Sequence, residues 1–73
     1  MPEGLRNRLR ELRADRDLTQ AALAELVGVS RKTINTIENG VFVPSTVLAL
    51  KLARALSLRV EDLFSLPSHE VEK

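Results

Sequence analysis

Apolar positions recur at helical spacing along almost the whole chain, and strand-like alternation is nearly absent. Leu5, Leu9 and Leu12 stand at i, i+4 and i+7, with Arg6, Arg8, Arg10, Arg13 and Arg16 on the remaining faces, which predicts a first helix from Glu3 to Arg16. Asp17 then tolerates the left-handed conformation that ends helices. Thr19 is a good N-cap for a second helix, Gln20 to Val27, with Leu23, Leu26 and Val27 facing inward and Ala21, Ala22 and Ala24 small enough to admit a close neighbour. Gly28 falls where the chain must turn sharply, Val29 plugs the turn and Ser30 caps a third helix, Arg31 to Glu38 or Asn39.

The third helix has a narrow apolar stripe, Ile34 and Ile37, and a polar face of Arg31, Lys32, Asn35 and Thr36 with Thr33 at its edge. Asn39-Gly40 is a strong stop. After the loop Val41-Phe42-Val43-Pro44, Ser45 caps a fourth helix, Thr46 to about Leu56, apolar on most sides and so expected at the centre of the bundle. A short fifth helix spans about Val60 to Phe64. The prediction is an all-α, five-helix domain over residues 1–66, with a polar, flexible tail over 67–73.

Composition narrows the function. Seventy-three residues make one domain with a small core, and the chain has no cysteine and a single histidine, His69. No disulfide, thiolate zinc site or nucleophile–base–orienter set can be assembled from that inventory, so neither an enzyme nor a metal or other cofactor is expected. The longest mainly apolar stretch, Val41 to Leu50, is interrupted by Pro44, Ser45 and Thr46, and Met1 is followed by no apolar leader; a cytoplasmic location is expected. Nothing suggests a small-molecule ligand. Net charge is only +1, but it is polarised: residues 1–60 hold ten Lys/Arg against six Asp/Glu, and residues 61–73 hold one against four. Phe42 and Phe64 are the only aromatics, too few for the stacking platforms that single-strand and RNA binders use.

Two short helices joined by a tight turn over Gly28-Val29-Ser30, with Ala24, Val29, Ile34 and Ile37 fixing their crossing, constitute a helix-turn-helix. Leu18-Thr-Gln20, Leu23-Ala24 followed by Gly28-Val-Ser30, and Ile34 with Ile37-Glu-Asn-Gly40 match, in order and spacing, the Cro/repressor (Xre-type) family, as do Pro44-Ser45 and Val60-Glu-Asp-Leu-Phe64 downstream. The chain resembles that family over about residues 5–64. The resemblance implies a phage-repressor-like, sequence-specific duplex-DNA-binding transcriptional regulator, expected to be a repressor, with its third helix in the major groove. It also implies roles. Gln20 bonds a phosphate and braces the third helix; Arg31, Lys32, Asn35 and Thr36 reach base edges; Thr33 and Asn39 touch the backbone; and the amides of the Gly40–Phe42 loop approach a phosphate.

The chemistry of these side chains agrees. Arg pairs with guanine O6 and N7, and Asn with adenine N6 and N7. Arg13 and Glu38 occupy positions that hold an ion pair in the family, whereas the other arginines of the first helix read as a solvated face. Val41 replaces a Lys common after Asn-Gly, which removes one phosphate contact; Ser57 stands where Gly often ends the fourth helix, and Arg59 where Ser often caps the fifth. A single such domain reads few base pairs, so a homodimer through Val60, Leu63, Phe64 and Leu66, with Val71 as a further candidate, is expected. The alternative is a protein-interaction module, or an antitoxin-like adaptor, on the same fold.

Overall fold

A computed structural model describes residues 4–67. In order these form strand β1 (Arg6–Asn7), helices α1 (Leu9–Asp15), α2 (Gln20–Val27), α3 (Arg31–Glu38), α4 (Thr46–Ala55) and α5 (Val60–Leu63), and strand β2 (Phe64–Ser65). The five expected helices are present, and so is one feature that the pattern of apolar residues did not predict.

The first helix begins at Leu9 and not near Glu3. β1 instead pairs antiparallel with β2, Arg6 opposite Ser65 and Asn7 opposite Phe64, and the Arg8 amide donates to the Leu63 carbonyl at 2.9 Å. Asn7 explains the break. Its Oδ1 accepts from the Leu9 amide at 3.0 Å, taking an orphan donor of the helix start, while its Nδ2 donates to the Ile37 carbonyl at 2.7 Å. One side chain thereby starts α1 and fastens it to the end of α3.

The caps read from sequence hold. Thr19 Oγ1, Ser30 Oγ and Ser45 Oγ accept from the amides of Ala22, Thr33 and Leu48 at 2.9, 3.1 and 3.1 Å. Gly28 ends α2 with φ +78°, its amide donating to the Ala24 carbonyl at 2.8 Å. Asp17 and Ser57 take the same left-handed conformation without being glycine, at φ 56° and 58°. At the start of α5, Asp62 accepts from the Arg59 amide at 2.9 Å, but an arginine side chain has no acceptor to return the favour, so only half of a capping box forms.

The core is made of Leu9, Leu12, Leu23, Ala24, Val27, Ile34, Ile37, Leu52, Ala53, Leu56, Leu63 and Phe64, all buried. Val29 packs against it from the turn. Three expectations need correction. Leu26 is 61% exposed, because α2 buries the stripe through Leu23, Ala24 and Val27 and Leu26 lies about 100° round the helix from Val27. The fourth helix is not buried on most sides: Leu52 and Ala53 face the core, while Val47 and Leu50 are 62% and 55% exposed. Leu63 and Phe64, expected at a dimer surface, instead close the monomer core, since α4 packs against α5 and β1 pairs with β2. Apart from Pro67, the expected tail, including His69 and Val71, lies outside the described residues.

Candidate nucleic-acid interface

α3 presents two polar rows at i, i+4 spacing. Arg31, Asn35 and Asn39 form one row and Lys32 and Thr36 the other; all are exposed except Thr36, which is half-buried, as is Thr33 beside it. Ile34 and Ile37, both wholly buried, anchor the helix from beneath. The rows are set at a fixed angle to α2 by the Gly28–Ser30 turn, where the Gly28 and Val29 amides both donate to the Ala24 carbonyl.

Hydrogen bonding differs sharply along the face. Among the described residues, neither Arg31 nor Lys32 takes part in an ion pair, whereas Arg8, Arg10, Arg13 and Arg59 all do. Two cations therefore project, without carboxylate partners there, at the start of a helix, where the positive end of the backbone dipole makes them unfavourable for folding alone. Thr36 Oγ1 donates to the Thr33 carbonyl at 2.9 Å, so its hydroxyl offers a base edge an acceptor and its methyl but no proton. Lys32, Thr33 and Thr36 also line a shallow, mainly apolar groove with Ser30, Val41 and Phe42.

The far end of α3 is held by Glu38, whose side chain is fully shielded from solvent. Its carboxylate accepts from Arg13 Nε at 2.6 Å and Nη2 at 3.2 Å, from Gln20 Nε2 at 3.0 Å and from Arg10 Nε at 3.4 Å. Burial alone would raise the Glu38 pKa. The bonds from Arg13 and Gln20, the charge of Arg13 and the bond from Arg10 outweigh it, and the carboxyl titrates below its ordinary value. Glu38 thus joins α1, α2 and α3 at one point, and the Arg13–Glu38 pair implied by the family resemblance is present.

Gln20 is half-buried and turned towards Glu38, which is the bracing half of its expected role. The Gly40–Phe42 amides depart from expectation. Gly40 donates to the Ile37 carbonyl at 3.0 Å, and Val41 and Phe42 both donate to the Thr36 carbonyl at 2.9 and 3.2 Å. These donors close the end of α3 and are already engaged, so they do not form a phosphate cradle.

Several contacts escaped the sequence reading, among them Asn7 on Ile37, Arg10 Nη2 on Asn39 Oδ1 at 2.7 Å, and Arg16 Nε on the Leu56 carbonyl at 2.7 Å, which caps the end of α4. A signal existed for one of them. Arg10 lies three residues before Arg13 and hence on the same face of α1, so whatever meets Arg13 is within reach of Arg10.

Comparison with known proteins agrees with this geometry. A family model described as helix-turn-helix matches residues 9–63. An uncharacterized HTH-type transcriptional regulator of Bacillus subtilis is 47% identical over 60 residues, covering 82% of this chain and 91% of the relative. Another, from Archaeoglobus fulgidus, is 46% identical over 67 residues, covering 92% and 96%. Among solved structures, the restriction-modification controller protein C.AhdI of Aeromonas hydrophila superposes with a TM-score of 0.74 at 44% identity, covering 78% of this chain and 86% of that one. The P22 c2 repressor, solved in complex with a synthetic operator, gives 0.72 at 33%, covering 74% and 82%. The chain belongs to the helix-turn-helix family of DNA-binding transcription regulators of the Cro/C1-repressor type, a class without enzymatic activity. Among the described residues no helix is long and apolar enough to cross a membrane.

Proposed function

We propose that the protein is an operator-binding repressor that acts as a homodimer, each copy placing α3 in the major groove of one half-site. Arg31, Lys32, Asn35 and Thr36 face base edges, and Gln20, Thr33 and Asn39 flank them towards the phosphates. The observation that carries this reading is the pairing of charges. Arg10 and Arg13 on α1 are tied to Glu38. Lys51 and Arg54 on α4 lack a carboxylate partner among the described residues, as do Arg31 and Lys32, but Arg31 and Lys32 stand beside Asn35 on the exposed face of α3. A phosphate or a guanine edge supplies the missing partner.

Two half-sites about one helical turn apart, roughly 34 Å, suit a two-fold dimer. With Leu63 and Phe64 inside the core, the surface that supports the dimer shifts to Val47, Leu50 and Leu66, all more than half exposed, and half-buried Val60. Leu50 and Val60 line a shallow groove with Leu5, Pro44, Ala49 and the edge of Phe64, into which a second copy's apolar residues can pack. Burial of that patch on association gives each copy what its exposed leucines and valines lack alone.

Selection of bound duplexes from a random library tests the reading. Recovery of a two-fold repeated sequence supports it, and an unenriched pool would overturn it. An adaptor that engages only proteins would give the latter result.

A further inference from the structure

The first polar row of α3 is a chain of hydrogen bonds and not a set of independent side chains. Arg10 Nη2 donates to Asn39 Oδ1 at 2.7 Å, and Asn39 Nδ2 donates to Asn35 Oδ1 at 3.2 Å, one turn earlier on α3. Arg10 is itself steered by Glu38, whose shielded carboxylate accepts from its Nε at 3.4 Å.

The order of donors along this chain is dictated by chemistry. A guanidinium has donors only, so the amide of Asn39 must turn its oxygen to Arg10. Its NH2 group then faces Asn35, which must answer with its own oxygen. The Asn35 NH2 is left as the part of that amide with no protein partner among the described residues, on the exposed face beside Arg31 and Lys32. Without Arg10, nothing in the row distinguishes the two orientations of either amide.

We infer that Arg10, acting through Asn39, is a positioning residue for base recognition: it locks the Asn35 side chain in the orientation that presents a donor to the DNA. This rests on the reading that α3 faces base edges. A fixed donor favours bases with acceptors in the major groove, namely the N7 of either purine, O6 of guanine or O4 of thymine. It disfavours cytosine, whose major-groove edge offers the N4 amino donor. Arg10 therefore sets which base is rejected at the position Asn35 reads, although it need not touch DNA.

The test is selection from random duplexes with the full chain and three variants. Asn35→Ala flattens base preference at one position per half-site and so identifies the pair that Asn35 reads. At that position the unmodified protein rejects cytosine, and Arg10→Met relaxes the rejection about fivefold, the equilibrium worth of one hydrogen bond, with the other positions keeping their ranking. Asn39→Asp keeps an acceptor for Arg10 but has no donor for Asn35. The Asn35 amide then turns its NH2 inward and presents oxygen, so cytosine gains at the expense of guanine.

A purely structural Arg10 would lower the melting temperature and weaken all duplexes alike without changing the ranking. An unchanged ranking at the Asn35 position in both Arg10→Met and Asn39→Asp would overturn the relay. If Arg10→Met fails to fold, Asn39→Asp, a change at an exposed residue, decides alone. If Asn35→Ala alters no position, Asn35 does not read DNA and the reading on which the relay rests fails first.

Discussion

Arg13 and Glu38 face one another with Arg13 Nε 2.6 Å from the carboxylate, joining α1 to the last turn of α3. Only 15% of the Arg13 side chain and none of the Glu38 side chain is exposed, and the remaining Arg13 nitrogen, Nη1, donates to the Leu18 carbonyl at 2.7 Å. The arginine thus also holds the link between α1 and α2. Together with the buried Ile34 and Ile37 and the Gly28–Ser30 turn, this polar joint holds the outer face of α3 in a constant direction. Removing either partner leaves the other charge poorly solvated, which is the costly way to break a shielded pair. Glu38→Ala is expected to destabilise the domain by about 3 kcal/mol, read as a lowered midpoint in chemical denaturation. A loss below about 0.5 kcal/mol would show that solvent replaces the joint freely.

The same pair gives the protein an acid limb. The Glu38 carboxyl titrates below its ordinary value of 4.5 in the folded state, so its contribution is fully present above that value and is lost as pH falls through the lower folded one. Denaturation midpoints should be level on the neutral side of 4.5 and fall on the acid side. Glu38→Gln, which keeps the shape and removes the titration, should lower the neutral midpoint and flatten that fall. An unchanged acid slope in Glu38→Gln would assign the effect to other carboxyls.

Backbone conformation makes a paired prediction at two turns. Ser57 sits at φ 58°, where a side chain is strained and glycine is not, so Ser57→Gly should stabilise by roughly 0.5–1 kcal/mol. Gly28 sits at φ +78° with open space around a would-be Cβ, so Gly28→Ala meets no clash and pays for its conformation alone, roughly 1 kcal/mol of lost stability. Thermal melts of both variants check the signs, which should be opposite.

Binding and stability should separate on α3. Arg31→Ala removes an exposed side chain with no ion pair among the described residues, so its melting temperature should stay close to that of the parent. Its affinity for a selected duplex should fall by about 1–3 kcal/mol, the range of one bidentate base contact. Fluorescence anisotropy titrations on specific and scrambled duplexes measure this. Equal affinity to the parent on the selected duplex would remove Arg31 from the interface.

Association is tested on α4. Leu50→Asp places a charge on the exposed apolar patch without entering the core. Sedimentation should show the parent as a dimer on its operator and the variant as a monomer with an unchanged melt at low concentration. Two copies of the variant bound side by side with full cooperativity would place the dimer surface elsewhere.

Local chemistry is what could be read from the chain itself. Thr19, Ser30 and Ser45 announce helix starts because their hydroxyls bond the next turn, and Gly28 and Gly40 announce ends because they take positive φ cheaply. Ile34 and Ile37 separate the inner face of α3 from the polar face opposite, so the candidate site was legible as a list of residue types at helical spacing. All of these are relations over four residues or fewer.

Relations over longer separations belonged to the tertiary structure. Pairing of β1 with β2 joins the two ends of the described chain, and it makes Arg6 and Asn7, expected inside the first helix, an extended segment beside the buried Phe64. Leu26, Val47 and Leu50 follow helical patterns yet face outward, because which part of an apolar helix is covered depends on where its neighbours stand. The Gly40–Phe42 amides and the Arg10–Asn39–Asn35 row show the same division at the site. The sequence names donors and acceptors, but a hydrogen bond also needs direction, and direction is decided only when α1, α2 and α3 meet round Glu38.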